Sequence, residues 1–113
     1  MQANIWNISG WIETTEPETL KKQFDRILKE CGFGILGFQE HHFQPHGYSA
    51  LWLLSESHFG IHTFPEESTC YYELSSCVER QFKKFLHIMD IKETPRTFRS
   101  SPALSFSKSY QSL

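Results

Sequence analysis

At 113 residues, with a formal charge of −2 and a pI near 6.3, the chain has room for one domain and carries no basic surface for a polyanion. It is 39% hydrophobic and 15% aromatic, enough for a packed core. It has no apolar run near ~18 residues and no secretory core, so a soluble, cytoplasmic protein is expected, with neither membrane nor nucleic acid as partner. Three cysteines without a CxxC pair argue against a disulfide scaffold. His41-His42, His46, His58 and His62 lack zinc-motif spacing, so no metal is expected.

In chain order, Met1 to Ile12 alternates loosely through Ile5, Trp6, Ile8, Trp11 and Ile12 and predicts a first strand. Thr15-Glu16-Pro17-Glu18 predicts a helix start, with Thr15 as cap and Pro17 in the first turn. Leu20, Phe24, Ile27, Leu28 and Cys31 then fall on one helical face, and Gly32 ends the helix. Strands are expected over Phe33–Phe43, Tyr48–Glu56, His58–Phe64 and Thr69–Leu74, with turns at Gln44–Gly47 and Pro65–Ser68. The third of the five strands is apolar enough to be central and covered by helices on one side.

Ser76-Cys77-Val78-Glu79 reads as a second capping box, followed by an apolar face of Val78, Phe82, Phe85, Leu86 and Met89. These offsets repeat those of the first helix, as two similar helix-plus-strand units would give. Lys92–Arg99 reads as an edge strand because Pro95 suits an edge, and the Ser-rich residues 101–113 read as a loose tail. The sum is one domain over residues 1–100: an α+β two-layer sandwich, a mainly antiparallel sheet with two helices on one face.

Glu56-Ser57-His58, Ile61-His62-Thr63-Phe64-Pro65-Glu66 and Cys77 bring a hydroxyl, an imidazole, carboxylates and a thiol onto neighbouring elements. Taken singly, each has an ordinary structural reading: Ser57 and His62 satisfied in their strands, Cys77 a buried thiol, Glu66 a solvated turn carboxylate, and Phe43, Trp52 and Phe64 core aromatics. Their joint spacing is what stands out. It resembles that of the short prokaryotic S-adenosylmethionine decarboxylases, in element order over roughly residues 15 to 90 and in detail from Phe43 to Cys77.

Removing the carboxylate of an α-amino acid leaves a Cα carbanion that no ordinary side chain delocalises, so an electrophilic carbonyl is needed. The chain has no Gly-rich phosphate loop for pyridoxal phosphate. The resemblance implies instead self-cleavage between Glu56 and Ser57, with a pyruvoyl group generated from Ser57 and engaging the substrate amine as a Schiff base. It further implies that Ser49 and His62 assist processing, His62 as proton abstractor. Cys77 would reprotonate the product carbon, Glu66 would hold the ribose, and Phe43 would stack on adenine. The product would be the aminopropyl donor for spermidine synthesis.

At ~3.3 Å per residue, an extended chain puts Ser49 ~26 Å and His62 ~16 Å from Ser57. A turn at Glu56-Ser57 would bring Ser49 and His62 together but leave both far from that turn. Either way the site is incomplete in one protomer, and a homodimer with two composite sites is expected. With Ser76 as N-cap, Cys77 would take the first helical position, where free N–H groups favour a thiolate. Ile8-Ser9-Gly10-Trp11 and the direct Cys77-Val78 step depart from the family pattern. Another amino-acid substrate (arginine or ornithine) and an unprocessed binding or regulatory subunit therefore stay open.

Overall fold

The computed structural model describes residues 3–91 together with the backbone of residues 96–99. Strands β1 (Asn4–Ile12), β2 (Ile35–His42), β3 (Tyr48–Leu54), β4 (Ser57–Phe64), β5 (Thr69–Ser76) and β6 (Arg96–Arg99) form one sheet in the order β2-β3-β4-β5-β1-β6. Every pairing is antiparallel. Helices α1 (Pro17–Glu30) and α2 (Glu79–Ile88) cover one sheet face. The α+β two-layer sandwich expected from the sequence is the fold observed.

Alternation along the strands explains the layers. In β3, Tyr48, Ala50, Trp52 and Leu54 are buried while Leu51 and Leu53 are exposed; in β5, Cys70, Tyr72, Leu74 and Ser76 are buried. These inward residues meet Leu20, Phe24, Ile27 and Leu28 of α1 and Phe82, Phe85 and Leu86 of α2. Phe24 lies 4.7 Å from Phe59, ring centre to ring centre, and Phe38 the same distance from Trp52. Burying each such ring contributes about 1.5–3 kcal/mol, so this one cluster is the main source of cohesion.

Two predicted helix starts move. The cap of α1 is Glu16 rather than Thr15, because its carboxylate accepts from the N–H groups of Glu18 (3.0 Å) and Thr19 (2.9 Å). Those bonds hold the Glu16 carboxyl below the usual range. Ser76 does not cap α2: β5 runs on through it, and the helix opens two residues later with Val78 as a cap that makes no side-chain bond. Cys77 therefore lies outside the helix, which removes the predicted first-turn position and the reason given for a thiolate there.

Smaller differences follow. The third strand stops at Leu54 because Ser55-Glu56 form a two-residue hairpin loop closed by the Leu54–Ser57 pair. The second is trimmed to Ile35–His42, and Pro65–Glu67 make one 3₁₀ turn. Phe43 and Phe64 are 48% and 38% exposed, so only Trp52 of the three aromatics is core. The strands of the two helix-bearing units interleave, since β1 is inserted between β5 and β6. The predicted edge strand is β6 as far as it falls within the described residues; residues 92–95 and the tail lie outside them.

Candidate functional site

The hairpin fold of β3 on β4 sorts the predicted site residues into two groups at opposite ends of the sheet. At one rim lie Phe43, Ser49, His62 and Glu66. Ser49 pairs with His62 in the β3–β4 register, and Ser49 Oγ is 2.6 Å from His62 Nδ1. Phe43 follows β2 and packs edge-on against His41, 4.5 Å between centres. Glu66 sits in the turn after β4, with Oε2 3.5 Å from His46 Nδ1. His46, in the neighbouring β2–β3 turn, is a polar contact that spacing alone did not reveal.

At the other rim lie Glu56, Ser57 and Cys77. Glu56 is held at φ +60°, a left-handed conformation that costs a residue with a Cβ about 1–2 kcal/mol. Its carbonyl oxygen accepts the backbone N–H of Cys77 at 3.3 Å. Ser57 faces the helix side of the sheet and donates its hydroxyl to Ser76 Oγ at 3.1 Å. Cys77 is exposed, whereas burial pushes the thiols of Cys31 and Cys70 up to about 11. Of the three cysteines, Cys77 is the one a substrate can reach.

Between the rims, β4 carries His62 five residues beyond Ser57 and on the opposite sheet face, ~16 Å along the strand. The face away from the helices also exposes Trp11 (60%), Leu51 (49%) and Leu53 (56%). Trp11 contacts both Phe64 and Tyr71, making an aromatic patch beside the Ser49–His62 pair. Among the described residues, no three His, Cys, Asp or Glu side chains group as a metal set, and no helix is long and apolar enough to cross a membrane.

An antiparallel sheet with one face covered by two helices, and with separated polar rims, defines the class as a two-layer α+β domain. A family model for S-adenosylmethionine decarboxylase matches residues 5–100, and the chain belongs to that family. The S-adenosylmethionine decarboxylase proenzyme of Methanococcus maripaludis is 31% identical over 101 residues, covering 78% of this chain and 82% of that protein. The proenzyme of Brevibacillus brevis is 39% identical over 64 residues, 57% of this chain. The alignments take in 48% of the Brevibacillus protein and 61% of its Persephonella marina counterpart, so the chain spans about half to three fifths of those two relatives. The adenosylmethionine decarboxylase of Aquifex aeolicus shares the fold with a TM-score of 0.57 at 18% identity, over 84% of this chain and 85% of that one.

Proposed function

We propose that this chain is a self-processing, pyruvoyl-dependent decarboxylase of S-adenosylmethionine, assembled as a homodimer with two composite sites and supplying the aminopropyl donor for spermidine synthesis. Family membership supports the substrate. The observation that carries the mechanism is the Glu56–Ser57 junction: a strained residue, its carbonyl polarised by the Cys77 N–H, followed directly by a serine at the sheet's rim. A donor already placed on that carbonyl stabilises the oxyanion that forms when it is attacked.

In the first step Ser57 Oγ bonds to the Glu56 carbonyl carbon, the peptide C–N bond breaks, and the hydroxyl proton passes to the freed amine. The product is an ester. Loss of the Ser57 Cα hydrogen then expels Glu56 as a new α-carboxylate, and water displaces the nitrogen as ammonia, which leaves the carbonyl at position 57. That carbonyl supplies the electron sink that breaking a Cα–carboxylate bond requires.

The residues around it have separate tasks. When His62 Nδ1–H donates to Ser49 Oγ, Nε2 is free to accept the Cα proton, so Ser49 sets the basic tautomer. Cys77 returns a proton to the substrate carbon after carbon dioxide leaves. Glu66 accepts hydrogen bonds from the ribose hydroxyls, and Phe43 offers a ring to the adenine.

A second copy completes the site because His62 and Ser57 of one chain stand ~16 Å apart along β4, beyond the reach of a side chain. The bare sheet face, with Trp11, Leu51 and Leu53 exposed, is the surface a partner would cover. A two-fold axis across the strands sets the Ser57 rim of one protomer against the partner's Ser49 and His62, with the sheets about 10 Å apart.

Intact mass under denaturing conditions tests the reading. Two fragments, residues 1–56 and 57–113, the second blocked at its N-terminus, are expected. A chain that stays whole on prolonged incubation makes this an unprocessed binding subunit. Cleavage with turnover of arginine or ornithine in place of S-adenosylmethionine overturns the substrate assignment.

A further inference from the structure

Ser76 makes contacts that neither the motif spacing nor the capping pattern indicates. It is the last residue of β5, opposite Ser57 in the β4–β5 register, and its side chain is buried at 1% exposure. Its Oγ accepts the Val78 N–H at 3.0 Å, donates to the Val78 carbonyl at 3.2 Å, and accepts the Ser57 hydroxyl at 3.1 Å. A hydroxyl has one hydrogen and two lone pairs, so all three capacities of Ser76 are in use.

That set of contacts orients the Ser57 hydrogen toward Ser76. With its own hydrogen directed to the Val78 carbonyl, Ser76 meets Ser57 as an acceptor, with Ser57 as the donor. The lone pairs of Ser57 Oγ are then not consumed by this contact and stay available for attack. A strand serine more often satisfies its hydroxyl on nearby backbone. Here the hydroxyl is gripped across the sheet by a buried group that is itself anchored at two points.

We propose that Ser76 is the positioning residue for the self-processing nucleophile, holding Ser57 Oγ through the relay Ser57 to Ser76 to the Val78 carbonyl. The proposal rests on the reading of Ser57 as that nucleophile. Bond changes remain those of the acyl shift: Oγ to the Glu56 carbonyl carbon forms, carbon to the Ser57 nitrogen breaks, and the hydroxyl proton ends on that nitrogen. Ser76 gains and loses no proton overall. It narrows the rotamers from which the attack starts.

The test compares Ser76→Thr with Ser76→Val, side chains of one shape that differ by the hydroxyl. The time course of chain cleavage is followed by intact mass after a pulse of cell-free synthesis, with thermal midpoints measured on both variants. The threonine variant is expected to cleave near the parent rate and the valine variant about tenfold more slowly, the effect of one lost hydrogen bond on a barrier. Hydroxylamine, which cuts esters, should not restore the valine variant, because its block precedes the ester.

A folded valine variant that cleaves at the threonine rate, or one rescued by hydroxylamine, overturns the proposal. Should the valine variant fail to fold, Ser76→Cys replaces it: a weak acceptor should give an intermediate rate, and an unchanged rate overturns the proposal. A parent chain that never cleaves removes the Ser57 reading itself. Cleavage of the parent with no dependence on Ser76 removes only the positioning role.

Discussion

The two rims of the sheet are built from the same materials and do opposite things with them. At the Ser49–His62 rim, the polar groups meet in one direct pair on the open face, flanked by exposed aromatic rings and the Glu66 carboxylate. At the Ser57 rim the serine turns inward to a buried partner, and the backbone carries the strain and the polarising contact. On the proposed reading, the first rim receives a ligand and moves a proton, and the second breaks its own peptide bond. The β3–β4 hairpin puts the Ser49–His62 pair and Ser57 at opposite ends of the same strands, so the proposed site needs both rims from different copies.

The sharpest way to break this contrast is Ser57→Ala. It removes the attacking oxygen, and a single uncleaved chain of 113 residues is expected by intact mass. Next in size, Leu51→Asp with Leu53→Asp places carboxylates on the bare sheet face and leaves the core side of β3 untouched. Sedimentation should then show a folded monomer, and processing should stop with it, because the two rims can no longer meet. A dimer that survives this change would move the interface elsewhere.

Cys77→Ala separates backbone from side chain. The N–H on the Glu56 carbonyl is kept, so processing should proceed, while turnover of S-adenosylmethionine falls by about 10²–10⁴ for want of the proton donor. Loss of processing in that variant would show that the thiol, rather than the amide, acts at the junction. Smaller again, Glu66→Ala at the other rim should raise KM about 10–100-fold with kcat little changed and cleavage normal, as expected for a lost charge-assisted bond to the substrate. An unaltered KM would remove the ribose assignment without disturbing the processing rim.

The smallest effect concerns stability near the Ser49 rim. Tyr48, 1% exposed, donates its hydroxyl to Glu40 Oε1 at 2.7 Å, and Lys21 holds the other carboxylate oxygen at 3.0 Å. These contacts, the Tyr48 hydroxyl foremost, hold the Glu40 carboxyl below its ordinary 4.5. A depressed carboxyl stabilises the fold fully above the unfolded value, and this contribution is lost as pH falls through the lower folded value. Thermal midpoints should therefore drop below about pH 4.5, and Tyr48→Phe, costing about 1 kcal/mol at neutral pH, should flatten that acid limb.

Much of this arrangement is legible in the sequence wherever a periodic pattern repeats. The inward faces of α1 and α2 and the apolar run of β3 follow from spacing, as does the distance of Ser57 from Ser49 and His62; the hairpin itself lies at Ser55-Glu56, one residue before the turn the spacing allowed at Glu56-Ser57. Local rules fail where two of them compete. Ser76-Cys77-Val78-Glu79 satisfies a capping pattern, but Ser76 also continues the inward alternation of Cys70, Tyr72 and Leu74. Burial against the helices decides for the strand. Thr15 loses the cap to Glu16 because the longer carboxylate reaches two N–H groups at once. Contacts such as Ser57 to Ser76 and His46 to Glu66 join residues far apart in sequence through strand register, which no local pattern encodes.

If one protomer's Ser57 is served by the partner's His62, two inactive chains should complement each other within one dimer. Ser57→Ala and His62→Ala chains, each inert alone, would be co-expressed with distinguishable tags and weighed intact. In the mixed dimer, the His62→Ala chain keeps its Ser57 and meets an intact partner's His62, so this chain alone should appear as two fragments. If both chains stay whole in a verified heterodimer, the composite site is contradicted, and His62 must act, if at all, within its own protomer.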